Sequence, residues 1–110
     1  MSRRLSIRIH GVRYRLRFVN GPRDRLLKGK LAGEVFYGEA PGVPVIKIDE
    51  TRQIDEQRET VLHEFLHIAS QECGLEPVVS EPMTVALARY LYGILRDNPR
   101  VALWIIGQNE

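Results

Sequence analysis

The sequence TVLHEFLHIA at residues 60–69 is the most informative feature of the chain, because its two histidines are spaced to share one face of a helix. An α-helix turns by about 100° per residue, so His63 and His67 lie about 40° apart around the axis and about 6 Å apart along it. Both imidazoles can therefore bind one metal ion. Glu64, one residue after His63, reaches the edge of the same site. The stretch predicts a helix with a metal site on one face.

The order histidine, glutamate, two residues, histidine is typical of zinc-dependent hydrolysis. A zinc ion held by two imidazoles and a third protein ligand keeps one position for water and lowers the pKa of that water to about 7. Glu64 is then placed to accept its proton. The alternative is that both histidines are core residues with satisfied hydrogen bonds and that Glu64 points to water. The apolar residues that flank the histidines favour the metal, because an acid buried between two histidines is costly without one.

Three acids that follow the motif are candidates for the third ligand. Glu72 lies on the same predicted helix, about 140° from the ligand face, so its direction is unfavourable. Glu76 lies in the link between the predicted helices and stays a candidate. Glu81 is preferred, because it begins a core-facing stripe at helical spacing: Thr84, Val85, Ala88, Leu91, Tyr92 and Leu95. An acid at this position is also common for a simpler reason, since helix N-termini favour negative charge.

Length and composition predict one α+β domain over residues 1–110. A chain of 110 residues with 44% hydrophobic and 27% charged residues is large enough to bury a core around two main helices and a small sheet. We expect a twisted, mainly antiparallel sheet of about four strands packed on two helices. The predicted segments are a strand-rich region at residues 1–54, the motif helix at 55–74, a glutamate helix at 80–98 and an apolar tail at 99–110.

The net charge of +2 hides an asymmetry between the two halves. Residues 1–54 contain 12 Lys and Arg against 5 Asp and Glu, whereas residues 55–110 contain 4 against 9. Apolar and basic residues alternate over residues 5–18, around a turn at Gly11, which predicts a hairpin with one arginine face: Arg8, Arg13, Arg15 and Arg17. This face could meet nucleic acid phosphates. A solvated sheet face is the simpler interpretation, because the aromatic residues alternate onto the core side.

Two further strands are predicted at residues 33–37 and 43–49. Pro44 lacks a backbone donor, so the second of these strands is expected at a sheet edge. An extended peptide could pair with that edge, or the proline could simply block the edge against other strands. Both interpretations remain open from the sequence.

The sequence also predicts the ends of both helices and an apolar segment near the C-terminus. Asp55 is expected to cap the motif helix and Gly74 to end it, while Ser80 is expected to cap the second helix. Residues 101–106 are uncharged and include Trp104, the one tryptophan of the chain. Such a segment should be covered, either by the core, by a second subunit in a homodimer, or along the cleft of the metal site.

A cytoplasmic location without a membrane partner is expected. No stretch approaches the roughly 18 apolar residues of a membrane span, and charged residues interrupt the N-terminus before a signal-type apolar segment can form. Cys73 is the single cysteine and cannot make an internal disulfide, which agrees with a reducing compartment. It is predicted to be a small buried residue rather than a ligand, because it points about 240° away from His67 around the helix.

The motif followed by a glutamate fourteen positions after His67 resembles the gluzincin clan of zinc metallopeptidases. The small size, the strand-rich start and the sequence LYGILRDNP at residues 91–99 are similar to minigluzincins and to phage proteins related to ImmA/IrrE-type peptidases. The resemblance covers roughly residues 33–106. It implies that His63, His67 and Glu81 bind Zn²⁺ and that Glu64 is the general base and acid.

The same resemblance implies a peptide or protein substrate, with residues 43–49 as the edge strand over the cleft. It also implies that activity can be latent, with a terminal segment blocking the cleft. The oxyanion-stabilising residue is not assigned, because Tyr92 lies about 16 Å along its helix from Glu81, while Tyr37 and His10 have no predicted position. The rival hypothesis is a basic, nucleic-acid-associated phage-type protein with a structural or catalytically lapsed zinc site. It is disfavoured because a structural site has no need of Glu64.

Overall fold

A computed structural model describes residues 5–37 and 42–108 as four strands, one 3₁₀ turn and three helices. The strands are β1 (Leu5–Ile9), β2 (Val12–Val19), β3 (Gly33–Phe36) and β4 (Val45–Asp49), with the 3₁₀ turn at Gly21–Arg23. The helices are α1 (Ile54–Glu72), α2 (Glu81–Asp97) and α3 (Pro99–Ile105). The predicted α+β class with a four-stranded sheet is confirmed.

The strands form one mixed sheet in the order β1-β2-β4-β3. The β1–β2 and β3–β4 pairs are antiparallel, whereas β2 and β4 run parallel, with Leu16 opposite Ile46. The β1–β2 hairpin turns through His10 and Gly11, which have φ values of 51° and 80°. Two consecutive residues with positive φ match the right-handed twist of a two-residue hairpin.

The prediction that residues 43–49 form an edge strand is wrong, since β4 lies between β2 and β3. Pro44 precedes the first residue of β4, so its missing N–H removes no hydrogen bond from the ladder. Its carbonyl oxygen accepts a hydrogen bond from the backbone N–H of Arg15 at 3.0 Å. The strand at the edge next to β4 is β3, which pairs with β4 alone among the described residues.

The core lies between the sheet and α1. Alternation along the strands sends apolar side chains inward, where they pack with Ile68 of α1: Ile9, Tyr14, Leu16, Ile46 and Ile48. The four arginines of the predicted arginine face are exposed on the opposite side of the hairpin. The predicted hairpin and its two faces are therefore confirmed.

Asp49 joins three segments at the end of β4. Its buried carboxylate accepts hydrogen bonds from the N–H of Gly21 (3.0 Å), from the N–H and hydroxyl of Thr51 (3.0 and 2.6 Å) and from Nε of Arg52 (3.2 Å). Burial alone would raise the pKa of Asp49, but these hydrogen bonds outweigh it and lower the pKa. A Cβ at Gly21 would lie 2.2 Å from the carboxylate, so a side chain there is excluded.

The two long helices begin and end near the predicted residues. Ser80 caps α2 as expected and accepts a hydrogen bond from the N–H of Met83 at 3.3 Å. Gly74 follows α1 with a φ of 77°. The expectation that Asp55 caps α1 is wrong, because Gln53 is the N-cap residue and Asp55 lies in the first turn. The carboxylate of Asp55 instead accepts a hydrogen bond from the hydroxyl of Tyr92 at 2.6 Å.

The predicted apolar tail forms α3 but is not covered by the described residues of the chain. Trp104 is 72% exposed, and the neighbouring apolar residues are exposed as well: Val101, Leu103, Ile105 and Ile106. Of the three coverings considered for residues 101–106, burial in the core is therefore ruled out. Cys73 is also exposed rather than buried, because α1 ends at Glu72 and leaves the thiol beyond the core. Over residues 5–37 and 42–108, no helix combines the length and apolarity that crossing a membrane requires.

Candidate metal centre

Two helices bring the three predicted ligands together. His63 and His67, one turn apart on α1, have ring centroids separated by 4.7 Å. Glu81, the first residue of α2, places one carboxylate oxygen 3.2 Å from Nε2 of His63 and the other 2.7 Å from Nε2 of His67. One potential ligand atom from each residue lies within 4.8 Å of the other two. The two imidazoles and the carboxylate therefore converge on a single point.

The packing of α2 on α1 sets the position of Glu81. The buried residues of α2 are Thr84 and Ala88, which are small and one turn apart. Small residues allow close approach of the two helices. The hydroxyl of Thr84 donates to the carbonyl of Ser80 at 3.0 Å, so the start of α2 is held at its cap.

The other acids considered as ligands lie elsewhere. Glu72 is the last residue of α1 and is exposed, while Glu76 accepts a hydrogen bond from the side-chain amide of Gln71 at 3.2 Å. Among the residues that the structure describes, the group suited to hold a metal ion consists of His63, His67 and Glu81.

Glu64 lies beside this group and is only 4% exposed. Desolvation, and then the negative charges of Glu34 and Glu81, raise the pKa of Glu64 to about 8. Burial also lowers the pKa of His63, although Glu81 opposes that effect. Buried groups with shifted pKa values in a cleft are typical of functional sites.

The donor set fits zinc in chemistry and in dimensions. Two imidazoles with one carboxylate form a ligand set of catalytic zinc sites, which keep a fourth position open. Zinc–ligand bonds of about 2.0–2.2 Å in a tetrahedron place ligand atoms roughly 3.4 Å apart. One ligand atom from each of the three residues lies within 4.8 Å of the other two, so a bound ion would need to change their spacing by little more than about 1 Å.

An open cleft of about 450 Å³ leads to the three residues. The β3 side of this cleft includes Gly33 and Glu34, and the α1 side includes Thr60 and Glu64. A Cβ at Gly33 would lie 2.6 Å from the side chain of Thr60 and 2.9 Å from the carbonyl of Lys47. The absence of a side chain at Gly33 therefore allows β3 to lie directly against α1.

Comparisons with protein-family models, with curated proteins and with solved structures found no match to this chain.

Glu34 is the cleft residue that the sequence did not single out. It follows Gly33 on the edge strand, and its charge acts on both His63 and Glu64. The residues around Glu34 do not indicate its place in the cleft, because that place depends on which strand lies at the sheet edge. The only signal in the sequence is the glycine before it, which indicates close approach of the backbone.

The residues considered for oxyanion stabilisation do not line the described cleft. Tyr92 donates to Asp55, His10 lies at the hairpin turn, and Tyr37 is exposed after β3. The described lining contains two cationic residues, Lys30 and Arg52. Arg52 is held by Asp49 and Glu56, at 3.2 and 2.7 Å.

The described tail does not block the cleft. No residue of α3, nor of the segment through residue 108 that follows it, is among the cleft residues. Glu81 begins α2 and α3 follows its other end, which places them roughly 25 Å apart along a 17-residue helix. The expectation that the tail lies along the cleft is not met by residues 99–108.

Proposed function

We propose that this protein is a zinc-dependent metallopeptidase. The observation that carries the proposal is the convergence of His63, His67 and Glu81 beside buried Glu64 in an open cleft. A site that only stabilises the fold would close all four positions of the metal. Here His63, His67 and Glu81 offer three ligands and face an open cleft, which leaves a fourth position of a bound metal accessible.

The proposed chemistry divides between the metal and the protein. Zinc, when bound, supplies Lewis acidity that polarises a carbonyl group and lowers the pKa of a water molecule. His63, His67 and Glu81 hold and orient the ion. The carboxylate of Glu64 accepts the proton of the attacking water and later donates it to the leaving amine. Glu64 is ionised more readily when a cation lies nearby, because opposite charge opposes the effect of burial on its pKa.

The substrate is proposed to be a peptide or a segment of a protein in extended conformation. The edge strand β3 contributes Gly33 and Glu34 to the cleft, and its outer edge has no strand partner among the described residues. An added strand gains main-chain hydrogen bonds along such an edge, and its side chains alternate into pockets. The role expected of residues 43–49 therefore passes to β3.

The proposed location is the cytoplasm. Cys73 is a free and exposed thiol, which favours a reducing compartment. Within that setting, the substrate would be a cytoplasmic polypeptide.

The decisive experiment combines metal analysis of the purified protein with cleavage of a peptide library, with and without a chelator. We expect about one zinc ion per chain and hydrolysis that the chelator abolishes. The Glu64→Gln variant should retain zinc but lose hydrolysis, because it removes the proton acceptor and keeps all three ligands. His67→Ala should lose both.

Three results would contradict this proposal. Undiminished cleavage by Glu64→Gln would show that Glu64 is not the base. Loss of zinc from Glu64→Gln would instead make Glu64 a ligand. A zinc-loaded parent that cleaves no member of the library would favour the structural or catalytically lapsed zinc site.

A further inference from the structure

The outer face of the β1–β2 hairpin carries four exposed arginines that the metallopeptidase proposal does not use. Arg13, Arg15 and Arg17 alternate along β2, about 6.6 Å apart. Arg8 lies directly opposite Arg13 in the antiparallel register. We name these four residues the arginine face.

The four arginines form no ion pair with a described residue, although two acids lie at one side of this face: Glu34 is opposite Lys47 in the register, and Asp24 is ion-paired with Lys47 at 3.0 Å. Neither β1 nor β2 contains an acidic residue. Like charges directly opposite each other destabilise a sheet, so the Arg8–Arg13 pair opposes folding in the free protein. A bound anion would remove that repulsion.

An aromatic ring lies on the same face of the sheet. The register places Phe36 opposite Val45, and Val45 opposite Arg15. Phe36 is therefore two strands from Arg15, about 9.6 Å away across the sheet, and its side chain is exposed. The ammonium group of Lys47 lies 5.4 Å from the ring centroid of Phe36 and is paired with Asp24 at 3.0 Å, so the free positive charge of this face comes from the arginines. The sequence predicted that the aromatic residues of the hairpin lie on the core side, and Tyr14 does so. Phe36 belongs to β3, outside the hairpin, and is exposed.

We propose that the arginine face and Phe36 together bind single-stranded nucleic acid. Guanidinium groups recognise phosphates through paired hydrogen bonds, and an exposed ring provides a surface on which an unpaired base can stack. Recognition of single strands on an open sheet by aromatic and basic residues follows the same physics in other nucleic-acid-binding folds. None of the four arginines, nor Phe36, is among the cleft residues.

A membrane surface fits these observations less well. Peripheral binding to anionic lipids requires apolar side chains next to the basic ones, so that they can enter the acyl boundary. The apolar side chains of β1 and β2 that pack in the core point to the other side of the hairpin. A single ring two strands from the arginines suits a stacked base better than an inserted anchor.

The test measures binding of short labelled single-stranded oligonucleotides of mixed sequence, as DNA and as RNA, at about 50 and 200 mM salt. Four phosphate contacts on a single strand predict a salt slope of about −2.8, which is a loss of about 50-fold in affinity over this range. The Arg13→Gln/Arg15→Gln/Arg17→Gln variant should bind weakly and lose only about threefold over the same range.

A matched variant controls for net charge. Arg58→Gln/Arg89→Gln/Arg100→Gln removes three exposed helix charges and should retain the salt effect of the parent. Phe36→Ala should weaken binding about tenfold at both salt concentrations without changing the slope, whereas Phe36→Tyr should bind like the parent. Thermal unfolding and zinc content of each variant report whether it is folded.

Three outcomes would overturn the proposal. The first is no binding by the parent at low salt. The second is an equal loss in the hairpin variant and the helix variant, which would show a general charge effect. The third is equal or tighter binding of duplex DNA or of phosphatidylserine vesicles, which would assign the arginine face to a different polyanion.

Discussion

Replacing Glu81 by alanine should separate the metal ligand from an ordinary helix-terminal acid. Glu81 is 61% exposed at its side chain and contacts the protein mainly through His63 and His67. Without zinc, an exposed pair of this kind contributes less than about 1 kcal/mol to stability. The variant should therefore unfold at nearly the same temperature as the parent when a chelator is present.

With zinc the two proteins should differ clearly. Loss of groups that merely orient a metal ligand costs about 10–100-fold in affinity, so removal of the ligand itself should cost at least about 100-fold. At a free zinc concentration about 100 times the parent's Kd, binding adds about 2.7 kcal/mol to the stability of the parent. The same concentration would add only about 0.4 kcal/mol to the variant. The difference of about 2.3 kcal/mol corresponds to roughly 10 °C in Tm for a domain of this size.

The assay is thermal unfolding at fixed free zinc, with Glu76→Ala as the matched control. Glu76 is exposed and contacts Gln71 rather than the histidines, so its variant should keep the full zinc effect. The reasoning is refuted if Glu76→Ala loses the zinc-dependent stabilisation and Glu81→Ala retains it. A large loss of stability in Glu81→Ala with chelator present would also contradict it, because it would give Glu81 a structural role without metal.

The remaining predictions concern the packing around the site and the exposed tail. Gly33→Ala should lower both zinc affinity and stability, since its Cβ would force β3 away from α1; an unchanged variant in the same unfolding and zinc titrations would contradict the close approach. Asp49 has a lowered pKa, so its contribution to the free energy of unfolding is present above about pH 4 and is lost as pH falls through the lowered value. In urea unfolding, the free energy of unfolding of Asp49→Asn should therefore fall less between neutral and acid pH than that of the parent or of the control Asp97→Asn. Truncation after Pro99 should leave zinc content and hydrolysis unchanged, and a rise in hydrolysis would restore the hypothesis of a blocking tail. Trp104→Glu should reduce any self-association measured by sedimentation, because the exposed face of α3 is the surface that a homodimer would bury.

The grouping of His63, His67 and Glu81 was predictable because most of its geometry is local. The helix period alone places His63 and His67 on one face, and the stripe that begins at Glu81 indicates which face of the second helix turns inward. The sequence left Glu76 open, because the direction of a link residue depends on how the two helices pack. The structure brings Glu81 to the histidines and leaves Glu76 beside Gln71.

The sheet order was less predictable, because strand pairing is not local. Pro44 suggested an edge, yet it stands one residue before β4, where a missing N–H has no consequence for the ladder. Because β4 is central, β3 is the edge strand, and its residue Glu34 lies at the cleft. The accessible edge of the sheet is therefore β3 rather than residues 43–49.

The contact between α1 and α2 links metal binding to the integrity of the site. The buried residues of α2 are Thr84 and Ala88, whereas larger apolar residues of that helix, including Met83, Leu87 and Ile94, are exposed. The fully buried side chains of α2 are therefore small and contribute little hydrophobic stabilisation each. A metal ion bound by residues of both helices would add its binding energy to the contact between them. The same ion that would act on the substrate would therefore also fix the distance between the two helices.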